Sequence, residues 1–280
     1  MKTDYELRVE ASLRTIKTVE IHDLKEVYQL ISDQPFDPGI KRNRSPFFYR
    51  GLPNSTYTLQ TSLQRNCGDK RKQLEMCMLR NFAKYAMETE HGARISLSDW
   101  NKLIVGQHHG LPTRLMDWSY SPLVALHFAL SETNPGEYDN HDCTVWKIDC
   151  NEVNNALPPK YIEKLNEPGK EAYLFTVDML SEISLDEYDE DKAFLLLEPP
   201  SIDQRIVNQY SYFTVIPSGM DCVEEYLADK LPHTVRYVID KKIRWRIRDM
   251  LDQMNINERI LSPGLDGLAA WLKRYYYVKK

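Results

Sequence analysis

Residues 107–118 read Gln107-His108-His109-Gly110-Leu111-Pro112-Thr113-Arg114-Leu115-Met116-Asp117-Trp118. No other stretch packs as many functional side chains: two imidazoles, a hydroxyl, a guanidinium, a carboxylate and an indole. Gly110 and Pro112 punctuate a loop there. His108 and His109 are a possible acid and base pair. Asp117 is close enough to pair with Arg114 or to cap the helix after it. Adjacent histidines tend to diverge, and no H-E-x-x-H spacing is present, so no metal is expected. The plainer alternative is a buried polar brace that fixes the loop.

Three further segments carry charge into apolar surroundings. Phe47-Phe48-Tyr49-Arg50-Gly51 reads as a buried aromatic strand with an arginine in it. An unpaired guanidinium is costly to bury, so Arg50 needs an anion or a cleft; an edge-strand salt bridge is the alternative. Gly51 permits a turn and the close approach of a ligand. Farther on, Arg205 and Gln209 precede the apolar run Tyr212-Phe213-Thr214-Val215. The Gln209 amide both donates and accepts, which suits a ribose or a base, although bracing would use it equally well. Finally, residues 241–248 hold five cations and Trp245. They could meet a nucleic-acid backbone, but their spacing also fits a helix with one apolar and one solvated face.

The elements that must position these groups are set by pattern. Asp23 caps a helix with Leu24, Val27, Leu30 and Ile31 on one stripe. Strands are expected at 47–51, 57–59, 143–148, 194–197, 212–216 and 235–239. Helices are expected at 72–87, at 98–107, from Pro122 behind its Ser121 cap, at 242–254 and at 263–276. One or two helical turns fall within 202–208. Helices come first and last with strands between, which predicts an α+β fold rather than regular βαβ alternation. The expected organisation is an N-terminal helical segment over 1–34 and a domain over 35–276. Within that domain an acidic insertion spans about 136–203.

The composition supports a globular chain: 42% of residues are hydrophobic, enough for a full core, and 28% charged in a mixed pattern, which argues against disorder. The net charge of −5 is uneven. Residues 136–203 hold 17 acids and five bases, so they sum to −12 and the rest of the chain to +7. That asymmetry reads as an acidic surface excursion, or as a basic face elsewhere that meets phosphates. Five cysteines without a C-x-x-C pair argue against a disulfide framework or a zinc site. Free thiols, the lack of an apolar leader and the lack of a spanning segment lead to an expectation of a cytoplasmic protein.

Taken together, these motifs resemble the FRG domain. The aromatic-Arg-Gly element is matched by Phe48-Tyr49-Arg50-Gly51, and Leu59-Gln60-Thr61-Ser62-Leu63-Gln64-Arg65 is similar to the family's next element, with Thr61 where proline is usual. The signature at 107–118 is matched fully. Ser121-Pro122-Leu123-Val124-Ala125-Leu126-His127-Phe128-Ala129 is similar to the family's next helix. Arg205-Ile206, Gln209, Phe213-Thr214-Val215 and the segment 257–269 look like its later blocks.

An aromatic-Arg-Gly strand also opens the ADP-ribosyltransferase fold, so the resemblance implies an ADP-ribosyltransferase-like split β-sheet core with surrounding helices. On that likeness Arg50 grips the NAD pyrophosphate, Ser62 lies in a supporting element, and His108 and Arg114 complete the pocket. Gln209 stands near the place of the usual Glu. The implied catalytic set is Arg50, His108 and Gln209. The implied NAD-binding set is Tyr49, Gly51, Ser62, Thr113, Arg114, Asp117, Arg205 and Phe213. Gln209 departs from the pattern, because an amide carries no charge to stabilise an oxocarbenium-like state. Glu198 or Asp117 are the acids that could supply it.

The function expected is an ADP-ribosyltransferase-like toxin or antiphage defence effector that uses NAD as its substrate. The acceptor is a protein or a nucleic acid, and an antitoxin or regulatory partner is implied. The alternative is a non-catalytic nucleotide- or RNA-binding module. A metal-free nuclease working through His108 and His109 is a third reading.

Overall fold

The computed structural model describes residues 2–132, 134–166 and 174–279. Nine strands occur among them: β1 (Lys17–Ile21), β2 (Phe36–Asp37), β3 (Arg42–Asn43), β4 (Phe47–Leu52), β5 (Leu115–Ser119), β6 (Cys143–Asp149), β7 (Leu195–Leu197), β8 (Ser211–Val215) and β9 (Val235–Ile239). β2 and β3 form a small hairpin. The other seven make one sheet in the order β1-β9-β6-β4-β5-β8-β7. β1 runs parallel to β9, and every other pair is antiparallel. Helices cover both faces. The α+β expectation holds in that coarse form.

The sheet is unevenly sewn. β4 and β6 share six register pairs from Phe47↔Asp149 to Leu52↔Thr144. β4 and β5 share only Tyr49↔Ser119. Beyond that pair the two strands part, and the sheet forks between Arg50-Gly51 and Asp117-Trp118.

The core respects the fork. Side chains alternate along a strand, so Tyr49 and Gly51 share a face with Leu115, Asp117 and Ser119. On that face the buried apolar residues divide in two. One cluster joins Ile21, Tyr49, Val145 and Tyr237 with Ile247 and Leu251 of the helix Arg244–Gln253. The other joins Leu115, Leu195, Phe213 and Val215 with Leu103 and Ile104 of the helix Asp99–His108. The division falls between β4 and β5. The opposite face is continuous: Phe48, Met116, Trp118, Trp146 and Leu196 pack together with Val223 and Leu227.

Several local expectations need correction. No strand forms at 57–59; Leu59 is buried, but its backbone N–H donates to Glu224 at 2.6 Å instead of to a ladder. Residues 115–119, read as part of a loop, are a central strand, because Leu115-Met116 and Trp118 each find a buried face. Residues 1–34 are not only helical, since β1 lies at the edge of the main sheet. The stretch 136–203 is not wholly an insertion: it supplies β6 and β7, and its helices over 150–165 and 177–191 lie between them. Residues 167–173 of the stretch lie outside the described residues. The helix of the C-terminal region begins at Arg244 after a 3-10 turn, and the last one spans Leu265–Tyr275.

Candidate functional site in the sheet fork

A cavity of about 780 Å³ opens at the fork, lined by Arg50 and Gly51 of β4, Asp117, Trp118 and Ser119 of β5, and Phe128 among others. The helix Pro122–Ala129 packs on β4 beside it. Ser121 caps this helix by accepting from the Val124 N–H, and Pro122 occupies its first turn. Gly51 lies inside β4, so it makes no turn. A Cβ there would sit 2.0 Å from the Ala125 carbonyl oxygen and 2.4 Å from the Ala129 nitrogen. The bare α-carbon therefore serves close helix-strand packing, which in turn shapes the cavity wall.

Arg50 fills the crotch of the fork. In a continuing ladder the Asp117 carbonyl would face Gly51; instead it accepts from Arg50 Nη1 at 2.5 Å. The Asp117 carboxylate lies 3.8 Å from the same Nη1. Arg50 Nε is buried and has no partner. Its side chain is only 15% exposed. Burial draws its pKa below the ordinary arginine value; Arg65 adds to that and Asp117 opposes it. The guanidinium is thus incompletely compensated, a state that an anionic ligand would relieve.

A polar chain holds Asp117. Gln107 Nε2 donates to Asp117 Oδ2 at 2.9 Å, and Gln107 Oε1 accepts from Thr113 Oγ1 at 2.6 Å. The Leu115 N–H donates to Thr113 Oγ1 at 3.1 Å, and the Thr113 N–H to Ser62 Oγ at 3.1 Å. Ser62 opens the helix Ser62–Cys67, and Thr61 is its cap: its hydroxyl accepts from the Gln64 N–H, and the Gln64 amide oxygen accepts from the Thr61 N–H. The departure from proline at this position is accounted for by that capping box.

The residues singled out from sequence fall into distinct places. Tyr49, Arg50, Gly51, Asp117, Arg205 and Gln209 line the cavity. Ser62 and Thr113 stand behind it in the polar chain. Phe213 is buried in the core under β8. His108 bonds to the Asp203 carboxylate through Nε2, outside the cavity lining. Burial, the largest influence, lowers its pKa while Asp203 opposes. Asp203 also caps the helix Gln204–Gln209, so His108 anchors the element that carries Arg205 and Gln209. The Gln209 amide donates to the Leu261 carbonyl at 2.7 Å, and Ser119 Oγ donates to the Gln209 carbonyl at 2.8 Å.

Arg114 lies apart from the cavity. It is 3% exposed and binds Glu75 through Nε at 2.8 Å and through Nη2, with Asp189 at 2.7 Å on Nη1. Burial works against its charge, but the two carboxylates outweigh it and raise its pKa. Glu198 comes directly after β7 and does not line the cavity.

Reading from sequence alone passed over Arg65 and Tyr57 as site residues and gave no individual role to Gln107 or Trp118 within their motif, although all four line the cavity. Arg65 and Gln107 each sit in a quoted motif, which was the available signal. Arg65 Nη1 donates to the Gln60 carbonyl at 2.6 Å. Among the described residues no group of three or more His, Cys, Asp or Glu side chains is placed to hold a metal ion. No helix there is long and apolar enough to cross a membrane.

The fold and site define an α+β protein with a cation-lined cleft in a forked sheet. Residues 45–137 match the family model described as the FRG domain. The matched residues carry β4, β5 and the helix beside them; Arg205, Gln209 and 257–269 lie outside them. No curated protein matches the chain, and no solved structure matches it.

Proposed function

We propose that the cleft binds NAD and that the protein is an ADP-ribosyltransferase-like effector, a toxin or defence protein. The observation that carries this reading is Arg50: a shielded guanidinium in the crotch of a split sheet, with a buried Nε that no protein group meets. Arg65 and Arg205 line the same cavity, and Asp117 is the one acid among the described lining residues. Such a charge balance suits a pyrophosphate. Tyr57, exposed at the cavity rim, offers a planar surface for a base or a pyridinium ring, and the cavity volume is in the range of ligand pockets. An antitoxin-like partner and a nucleic-acid or protein acceptor belong to the same proposal.

The test is NAD binding and nicotinamide release by purified protein, with and without cell extract, wild type beside Arg50→Ala. Release by the wild type and its loss in Arg50→Ala without unfolding supports the reading. Full activity in the variant removes the role given to Arg50. Saturable binding without release favours a non-catalytic nucleotide- or RNA-binding module. The engaged Gln209 amide, bonded to Leu261, favours that second reading.

A further inference from the structure

Transfer from NAD needs negative charge near the ribose, and Gln209 supplies none. From the geometry of the fork, and resting on the NAD reading above, we infer that Asp117 is the catalytic carboxylate and Gln107 its positioning residue. Four observations meet here. Asp117 is the sole carboxylate lining the cleft among the described residues, and its side chain is 58% exposed, open to a ligand. Its Oδ2 is fixed by Gln107 at 2.9 Å, and Gln107 is itself fixed by Thr113 at 2.6 Å. Oδ1 accepts no hydrogen bond from a described residue, so one oxygen remains for substrate. Finally, Arg50 binds the backbone carbonyl of the same residue, so a pyrophosphate gripped by Arg50 is held beside the Asp117 carboxylate.

The reaction balances without a co-reactant beyond the acceptor. The bond between ribose C1′ and the pyridinium nitrogen breaks, and its electron pair leaves with the nitrogen as neutral nicotinamide. Positive charge develops on C1′ and the ring oxygen, and the Asp117 carboxylate stabilises it electrostatically. Water or an acceptor hydroxyl or amine then attacks C1′. Its proton passes to Asp117 and from there to solvent.

The decisive measurement is NAD binding by calorimetry alongside steady-state nicotinamide release for wild type, Asp117→Asn, Asp117→Glu and Gln107→Ala. Asp117→Asn should bind NAD within about threefold of wild type and release nicotinamide about 100- to 1000-fold more slowly. Asp117→Glu keeps the charge and should retain about tenfold more release than the amide. Gln107→Ala should lower kcat about tenfold at unchanged KM, a split that general loosening of the fold would not produce. Release by Asp117→Asn at the wild-type rate overturns the assignment and leaves the NAD reading standing. Loss of binding together with release in that variant also overturns it, since the carboxylate would then serve affinity. A wild type that binds NAD without cleaving it in any condition removes the catalytic role but not the binding site. A wild type that does neither removes both.

Discussion

Two of the arginines in the family-like motifs, Arg114 and Arg50, are treated in opposite ways by the structure. Arg114 is buried against Glu75 and Asp189, with three of its nitrogens bonded to carboxylates. Arg50 is nearly as shielded, yet it has one backbone carbonyl at 2.5 Å, one carboxylate at 3.8 Å and an orphaned Nε. A closed charge network has no capacity left for a ligand, whereas the open one at Arg50 faces a cavity. The difference is the ground on which the proposed ligand site is put at Arg50 and not at Arg114.

The contrast breaks first at Arg114. Arg114→Ala leaves Glu75 buried without its partner and should cost about 3–5 kcal/mol in urea unfolding. A loss below about 1 kcal/mol would place Arg114 among the ligand-binding groups instead. Next comes the wall of the fork. Gly51→Ala forces a methyl group against helix backbone that cannot rotate away. A loss of about 3 kcal/mol is expected from this overpacking, measured as a fall in the urea midpoint at unchanged slope.

Acid sensitivity tests a second closed site, on the helix that flanks the cleft. His127 is buried, and Arg248 Nη1 lies 2.8 Å from its Nδ1. Arginine can only donate, so Nδ1 accepts and the ring is neutral. Burial first, and Arg248 second, push its pKa from 6.5 down to about 3. The unfolded chain binds the proton more readily, so this stability is intact above pH 6.5 and is lost as pH falls toward 3. At pH 5 the loss is about 2 kcal/mol. In His127→Gln the difference in stability between pH 7 and pH 5 should shrink by about that amount, which thermal melts at the two values would read. Glu258, held down to about 2 by Arg274 against its burial, should leave a residual acid transition below pH 4.5.

The smallest effect is expected at Arg50 itself. Arg50→Ala should change folding stability by at most about 1 kcal/mol, because its lost bond is offset by relief of an undercompensated charge. Chemical denaturation beside that of Arg114→Ala would show whether the two arginines differ as the geometry says. Equal losses would erase the comparison.

Much of this was legible in residue order. Ser121-Pro122 declared a helix start, Asp23 and Ser98 declared two more, and the aromatic run 47–51 declared a strand, because caps, proline and apolar periodicity are local chemistry. The motif 107–118 stood out in the sequence by its density of polar groups. Its division of labour was not. Thr113, Arg114 and Asp117 lie within five positions, yet one bonds Gln107, one enters the core, and one faces the cleft. That outcome depends on Glu75, 39 residues before Arg114, and on a strand pairing with β8 that no local signal encodes. Types, spacing and element starts belong to the sequence because they rest on local propensity. The fork between β4 and β5, and with it the choice of which of Arg50 and Arg114 meets carboxylates on all sides, belongs to the tertiary structure. Only long-range packing decides where a ladder stops and which buried charge finds its counter-ion.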